Sequence, residues 1–230
     1  MGTLDVRPAL DLAPLLLSLQ IATLATIVSA IAGVGLATLL ANVRFPGRDL
    51  VDVAVTAPIV LPPTVLGYYL LVAVGRRSFI GHLFEAVFGS PIVFTRTGAV
   101  LAATVGALPL VVKSGRAALE GVDATLVRAA RTLGASPVRA FLTVQLPLAG
   151  RGIVAALMLA FARSLGDFGI TLMVAGDIPG ETQTASLAIY DAIQEHRDQA
   201  ALVMVLSLTT IAIAILYGVN KLTARASDAG

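Results

Sequence analysis

The sequence predicts an all-α membrane protein, a polytopic transmembrane helical bundle of five to six spans. The prediction depends on two observations. Of the 230 residues, 57% are hydrophobic and only 13% are charged, and the mean hydropathy of +0.90 is far above that of soluble domains. Stretches without charge, long enough to cross a bilayer, also recur along the chain. In water this composition would leave a large apolar surface exposed, whereas lipid can cover it.

Five charge-poor stretches are the predicted spans: residues 12–43, 53–75, 97–112, 152–176 and 199–220. The first does not follow a basic segment, so it lacks the pattern of a cleaved signal peptide. The second contains Pro58, Pro62 and Pro63, which have no backbone donor, and we expect it to bend. The third is short for a span, so Lys113 is expected to reach toward the headgroups.

Positive charge predicts how the bundle lies in the membrane. The loops after the first and third stretches, with the carboxyl-terminal tail, contain ten of the sixteen lysines and arginines. Because basic residues accumulate on the cytoplasmic side, the amino terminus is predicted outside and the carboxyl terminus in the cytoplasm. Against this, Arg76, Arg77 and Arg96 make the first external loop positive. Either that loop is an exception, or residues 79–94 enter the membrane as a sixth span.

The residue content excludes several classes of chemistry. Without cysteine, the chain has no disulfide, thiolate nucleophile or cysteine-ligated metal. Neither Lys113 nor Lys221 follows a glycine, so no phosphate-binding loop is present, and His82 and His196 lack a zinc-protease pattern. We therefore predict no catalytic site, metal site or cofactor in this chain. The net charge is +2, and the basic residues lie beside apolar stretches. This placement favours lipid headgroups over nucleic acid as their partner.

Between the third and fourth stretches, the sequence predicts two short helices that meet at a corner. Asp123 can cap the first helix, and Gly134 can end it in a left-handed turn. Ser136 followed by Pro137 can begin the second helix, because a capping hydroxyl before proline is a common start. Pro147 is expected to break this second helix.

The first helix of the corner is predicted to be amphipathic. Its apolar residues recur at helical spacing, whereas Arg128 and Arg131 share another face. The apolar set is Leu126, Ala129, Ala130 and Leu133. A helix pair lying on anionic lipid headgroups would explain this pattern.

The same segment also resembles the EAA loop of the permease subunits of ATP-binding-cassette importers. That family pattern is Glu-Ala-Ala, three residues, Gly, nine residues, Ile, any residue, Leu-Pro. Here the matching residues are Arg128-Ala129-Ala130, Gly134 and Val144-Gln145-Leu146-Pro147, at the same spacing. Arg128 and Val144 differ from the pattern, and the first removes a carboxylate. The resemblance implies a coupling helix that fits a groove on a separate ATPase.

The resemblance assigns residues to ATPase coupling one by one. They are Arg128, Ala129, Ala130, Gly134, Ala135, Ser136, Pro137, Leu146 and Pro147. Of these, residues 134–137 are expected at or near the contact, since small residues keep the turn slim enough to enter a groove.

A longer resemblance covers nearly the whole chain. Four stretches are similar to the permease of molybdate ATP-binding-cassette importers: residues 61–68, 161–169, 176–184 and 188–190. Sulfate permeases are close relatives. The resemblance implies the type I importer permease (MetI-like) fold, as one transmembrane domain over residues 1–230 with a cytoplasmic coupling loop at 114–150. It also implies molybdate translocation across the cytoplasmic (inner) membrane.

The resemblance further implies the partners of the chain. They are a second permease copy in a homodimer, two ATPase subunits that bind ATP and Mg, an external molybdate-binding protein and membrane lipid. Two alternatives remain open. One is the same machine carrying sulfate or tungstate, and the other is a secondary anion transporter that needs no ATPase.

A dianionic oxyanion needs shielding to cross hydrocarbon, and hydroxyls and close backbone can shield it without binding it too tightly. The pathway candidates are Arg163, Ser164, Gly166, Asp167, Gly169, Thr171, Thr182 and Thr184. Each glycine has the alternative role of packing helices closely. Arg163 and Asp167 lie four residues apart, so they can form a self-neutralising ion pair or contact the substrate.

Overall fold

Residues 12–228, which a computed structural model describes, form eleven α-helices and one π-helical turn, with no strand among them. The predicted all-helical class is confirmed. In chain order the α-helices are α1 (Ala13–Asn42), α2 (Arg48–Val60), α3 (Pro63–Val74), α4 (Phe79–Phe88), α5 (Arg96–Glu120), α6 (Ala124–Thr132), α7 (Pro137–Ala140), α8 (Leu146–Leu165), α9 (Gly169–Ala175), α10 (Ala185–Gln194) and α11 (Asp198–Asp228). Four continuous helical segments of the described chain, beginning with α1, α5, α7 and α11, are long and apolar enough to span a membrane.

The second predicted span is bent, as expected. Helix α2 ends at Val60 and α3 begins at Pro63, with Leu61 and Pro62 in extended conformation between them. Because Pro62 and Pro63 have no N–H to donate, a straight helix would lose consecutive hydrogen bonds here. Together α2 and α3 reach roughly 40 Å at 1.5 Å per residue, which is enough for a fifth crossing.

The third predicted span is longer than residues 97–112. Helix α5 has 25 residues and continues through Lys113 and Arg116. Both cations are paired, since Nζ of Lys113 lies 2.9 Å from Asp52 and Nη1 of Arg116 lies 3.3 Å from it. The sequence alone predicted that Lys113 reaches toward the headgroups. In the structure, Asp52 neutralises charge on α5 by pairing with Lys113 and Arg116.

Residues 79–94 do not form a sixth span. Helix α4 has only 10 residues, about 15 Å, against the roughly 30 Å of a hydrocarbon core. Ser78 caps its start, and Gly89 ends it in a left-handed turn with φ of 71°. The chain then returns to α5 through Phe94, whose N–H donates to the carbonyl of Val174 at 2.9 Å.

Helix α5 is the centre of the bundle and packs against α1, α8 and α9. Small residues make these close approaches possible, and Ala99, Ala102 and Ala107 of α5 are fully buried. On α1, a Cβ at Gly33 would lie 2.8 Å from Cγ1 of Val111. Close backbone packing therefore holds the helices together in a setting where lipid removes most of the hydrophobic driving force.

A test of this packing is available where α3 meets α9. A Cβ added at Gly67 would lie 2.6 Å from Cβ of Met173, so Gly67→Ala requires the two helices to separate. We expect a loss of about 1–3 kcal/mol in stability, the usual cost of overpacking, seen as a lower Tm in detergent. Gly35→Ala is the matched control, because no neighbouring element in the described part of the chain lies within 4 Å of its added Cβ. Equal Tm shifts in the two variants would contradict this account of the packing.

Candidate functional site

The corner between α5 and α8 has the caps that the sequence predicts. An Oδ1 atom of Asp123 accepts a hydrogen bond of 2.8 Å from the N–H of Thr125 at the start of α6. This bond holds the pKa of the Asp123 carboxyl below its usual range. Helix α7 begins at Pro137, and the hydroxyl of Ser136 accepts from the N–H of Arg139 at 3.2 Å. Both predicted caps are confirmed.

Gly134 makes the turn of the corner, with φ of 90°. Its N–H donates to the carbonyl of Arg131, and the N–H of Ala135 donates to the carbonyl of Ala130, each at 3.1 Å. These two bonds are the Schellman arrangement, which satisfies the last carbonyls of a helix and requires a left-handed residue. The predicted left-handed end of α6 is confirmed, and a side chain at Gly134 would be strained whatever the space around it.

The corner presents apolar side chains that residues 12–228 leave uncovered. Leu133 is 89% exposed and Val138 is 67% exposed, while α6 has no buried residue. The coupling candidates Arg128, Gly134, Ser136 and Pro137 are also exposed. Ala130 and Ala135 are half-buried. We call residues 124–140 the corner surface. Exposed leucine and valine beside arginine are typical of a surface that binds another molecule.

The prediction that Pro147 breaks the second helix is wrong. A π-helical turn, Phe141–Gln145, joins α7 to α8, and Pro147 lies in the first turn of α8. The N–H of Leu146 donates to the carbonyl of Phe141, five residues earlier. This wider turn moves the preceding carbonyls away from the proline ring, so the helical path continues. The π-helical turn therefore separates the coupling candidates Leu146 and Pro147 from the corner surface.

A polar cluster interrupts the fourth predicted span. Helix α8 ends at Leu165 and α9 begins at Gly169, with Asp167 between them and only 3% exposed. Nη1 of Arg163 lies 2.9 Å from Oδ1 of Asp167. The other oxygen, Oδ2, accepts from the N–H of Thr171 at 3.0 Å and from its hydroxyl at 2.7 Å.

This cluster gives the break in the helix its physical reason. The first N–H groups of a helix have no partner within it, and the Asp167 carboxylate accepts one of them from α9. The ion pair predicted from the spacing exists in the structure. A Cβ at Gly106, near the middle of α5, would lie 3.5 Å from Nη2 of Arg163. The pair therefore lies well inside the bundle, and the Arg163 side chain remains 34% exposed.

The other pathway candidates fall into two groups. Near the break, the hydroxyl of Ser164 donates to the carbonyl of Ala103 at 3.5 Å, and a Cβ at Gly169 would lie 2.8 Å from Cβ of Pro63. Gly166, in the same group, is exposed. Thr171 is bonded to Asp167, as described above. Lining of a pathway by these residues stays a prediction.

The second group lies in the loop between α9 and α10. The hydroxyl of Thr182 accepts from the N–H of Ile178 at 3.1 Å and lies 3.4 Å from the carbonyl of Gly176. The hydroxyl of Thr184 is buried and has no hydrogen-bond partner among the described residues. In this conformation Thr182 therefore holds the loop, while Thr184 retains a free donor.

Two long-range contacts fasten this loop to the bundle. The guanidinium of Arg96, at the start of α5, donates to the carbonyls of Gly180 and Glu181 at 3.1 and 3.2 Å. Near the start of α1, the hydroxyl of Ser18 accepts from the N–H of Ala185 at 2.8 Å. Arg96, from the loop that the sequence predicts to be external, thus uses its positive charge to bind backbone carbonyls.

A carboxyl pair that the sequence did not predict joins this loop to α10. Burial, together with the neighbouring Asp191 carboxyl, raises the pKa of Asp177 to about 6. Nε2 of Gln183 donates to Oδ2 of Asp191 at 2.8 Å, which holds the second carboxyl in place. Asp177 and Asp191 are fourteen positions apart in the sequence, on a loop and a helix, so no local pattern marks them.

Asp177 predicts a pH-dependent stability. The pKa of Asp177 is about 6 in the folded protein, against 3.8 in a free chain. The contribution of Asp177 to the free energy of unfolding is therefore fully present below pH 3.8 and is lost as pH rises through 6. At pH 7.5 we expect Asp177→Asn to raise the Tm by about 2–4 °C, the shift that about 1 kcal/mol gives in a chain of this size. The gain should shrink at pH 4.5. The control is Glu181→Gln, an exposed carboxylate in the same loop; a gain independent of pH would contradict the assignment.

Comparisons with known proteins agree with this architecture. Residues 18–226 match the family described as binding-protein-dependent transport system inner membrane component. The chain is 47% identical, over 87% of its length and 89% of the relative, to the molybdenum transport system permease protein ModB of Escherichia coli strain K12. It is 33% identical, over 88% of its length and 71% of the relative, to the probable sulfate transport system permease protein cysT of Chlorokybus atmophyticus.

The fold also matches a solved transporter. The inward-facing MetNI methionine ABC transporter contains a chain that superposes with a TM-score of 0.71 at 18% identity, covering 92% of this chain and 94% of that one. At this low identity the likeness shows the fold alone. The MetI-like fold that the longer resemblance implies is confirmed.

Proposed function

The chain belongs to the family of inner membrane components of binding-protein-dependent transport systems, and from this premise we propose that its cargo is molybdate. As a member of that family it is the permease subunit of an importer, not its ATPase. The sequence agrees, because it contains no phosphate-binding loop. The energy for transport must then enter through a contact with another chain.

The corner surface is proposed to be the contact with the ATPase. It combines a rigid left-handed turn at Gly134 with apolar side chains that nothing in the described chain covers, Leu133 and Val138 among them. Arg128 stands where the family pattern has glutamate, so the contact at this position relies on a cation or on packing instead of a carboxylate. Movement of the corner would be passed to α8 through the continuous helical path of the π-helical turn.

The proposal of molybdate as cargo is supported by sequence similarity. The molybdenum permease of Escherichia coli is 47% identical to the chain, against 33% for the sulfate permease of Chlorokybus atmophyticus. Residues 178–184, which fold into the loop between α9 and α10, resemble the molybdate type. Sulfate and tungstate have the same tetrahedral shape and charge and are the competitors to test.

The proposed assembly combines the partners that the family resemblance implies with the shielding that an oxyanion needs. We place two copies of the chain around a shared cavity, with two ATPase subunits on the corner side and an external binding protein opposite. The corner side is then cytoplasmic, which puts the amino terminus outside and the carboxyl terminus inside. The pathway candidates of α8, α9 and the following loop are proposed to line the cavity in a conformation that frees their hydroxyls.

Membership of a binding-protein-dependent family argues against the alternative of a secondary anion transporter. Reconstitution of the chain with its cognate ATPase and binding protein tests the proposed cargo. We expect molybdate-loaded binding protein to stimulate ATP hydrolysis and uptake, and sulfate-loaded protein to stimulate neither. Equal stimulation by the two loaded proteins would show that the importer is not specific for molybdate. Stimulation by sulfate-loaded protein alone would contradict the proposal.

A further inference from the structure

Gln145 is a buried amide where the corner joins the bundle. It is the last residue of the π-helical turn and is only 8% exposed. Its Nε2 atom donates to Oδ1 of Asn42 at 3.1 Å and to the carbonyl of Leu119 at 3.2 Å. Asn42 is the last residue of α1, and Leu119 is the next to last of α5. One side chain thereby connects the ends of two helices to the start of α8.

These two bonds use the whole donor capacity of the amide. An NH₂ group has two hydrogens, and each has an acceptor here. The carbonyl of Leu119 lies in the last turn of α5, where carbonyls lack a full set of donors within the helix. The same carbonyl also accepts from the N–H of Val122, at a longer 3.4 Å. Losing the buried bond from Gln145 would therefore leave it with weaker partners from its own helix end.

The surrounding contacts are apolar. Ala37, Leu119, Ala149 and Ile153 form a buried cluster, and Phe141 packs against it from the π-helical turn. Apolar contacts are non-directional, so helices can slide while keeping them. The hydrogen bonds of Gln145 have narrow ranges of distance and angle, and they fix the position of α1 and α5 relative to the corner. A π-helical turn at such a junction is common at functional positions.

We infer that Gln145 is a positioning residue for transport, which passes movement of the corner surface to the adjoining ends of α1 and α5. The inference rests on the proposed function of the corner as the contact with the ATPase. It assigns to the variable position of the Leu-Pro segment a role that the family pattern leaves open. Without this amide, the corner would still bind the ATPase, but α1 and α5 would follow it incompletely.

The test is the number of ATP molecules hydrolysed per anion imported in proteoliposomes. Gln145→Met keeps the length and approximate volume of the side chain and removes both donors. We expect the ratio of ATP to anion to rise by about two- to thirtyfold, the range that coupling positions produce. A purely structural role would instead lower the Tm and reduce hydrolysis and import together, with the ratio unchanged, and that result would overturn the inference.

Asn42→Leu is the second variant. It removes the bond to α1 and leaves the Leu119 carbonyl satisfied, so we expect a smaller rise in the ratio. The double variant should be no worse than Gln145→Met alone, because both changes break the same link. Should Gln145→Met fail to fold, Asn42→Leu decides, and an unchanged ratio overturns the inference. Thr23→Val is the matched control, because among the described residues its hydroxyl bonds to the carbonyl of Leu19 within α1, at 2.7 Å, and to no other helix.

An incorrect assignment of the cargo would give a result that differs from a failure of the role of Gln145. A wild-type complex that hydrolyses ATP but imports no molybdate would contradict the cargo and not the role of Gln145. The ratio is then measured with the anion that the complex does import, and the same comparison of variants applies.

Discussion

Asp167→Asn is expected to damage transport more than the double change Arg163→Met with Asp167→Asn. The single change leaves the guanidinium of Arg163 inside the bundle without the anion that lies 2.9 Å from it. Breaking a buried pair on one side costs about 3–5 kcal/mol, whereas replacing both partners by residues of similar volume is often neutral. The single variant should therefore express poorly and import little, and the double variant should regain stability and a large part of the import.

The measurement is uptake per folded transporter, with Tm in parallel. Arg163→Lys is the control that keeps the positive charge, and it should be milder than Asp167→Asn. Asparagine retains an oxygen that can accept from the N–H of Thr171, so the start of α9 stays capped in the double variant. A double variant as poor as Asp167→Asn would show that the charges themselves serve transport, and the self-neutralising pair would not explain their presence.

Ala135→Trp is expected to separate ATP hydrolysis from import. Ala135 follows the left-handed turn of Gly134, at the tip of the corner surface. A bulky side chain there would keep the turn out of a groove on the ATPase, and a loss of about 2 kcal/mol at the centre of an interface weakens binding about thirtyfold. The folded bundle should be unaffected, because no residue from 124 to 139 is buried.

The test compares binding of the ATPase, hydrolysis stimulated by the loaded binding protein, and import. Ala86→Trp is the matched control, since it adds the same side chain at an exposed position of α4, away from the corner. We expect Ala86→Trp to behave as the wild type. Full stimulation and import by Ala135→Trp would reject residues 134–137 as the contact.

The features predictable from the sequence were those fixed by neighbouring residues. The caps at Asp123 and Ser136 and the left-handed turn at Gly134 depend on side chains within three residues of the backbone that they satisfy. The bend before Pro63 depends only on missing N–H groups. Local chemistry of this kind can be deduced without knowing the fold.

The features that were missed or wrongly predicted depend on partners far away in the chain. Helix α5 continues past Lys113 because Asp52, 61 residues earlier, pairs with it. The helical path continues past Pro147 because a π-helical turn precedes the proline. The last residue of that turn, Gln145, donates to residues of α1 and α5. Asp177 owes its raised pKa to burial and to Asp191 on another element. None of these partners follows from spacing, because each depends on how the helices pack.

The central claim is that a motor in another polypeptide drives import through the corner surface. The most direct measurement is molybdate uptake into proteoliposomes that contain the chain with its ATPase and loaded binding protein, compared with the same vesicles carrying an ATPase inactivated in its nucleotide site. The account predicts ATP-dependent uptake in the first and none above background in the second. Uptake at the full rate with the inactive ATPase, or with no ATPase at all, would contradict it.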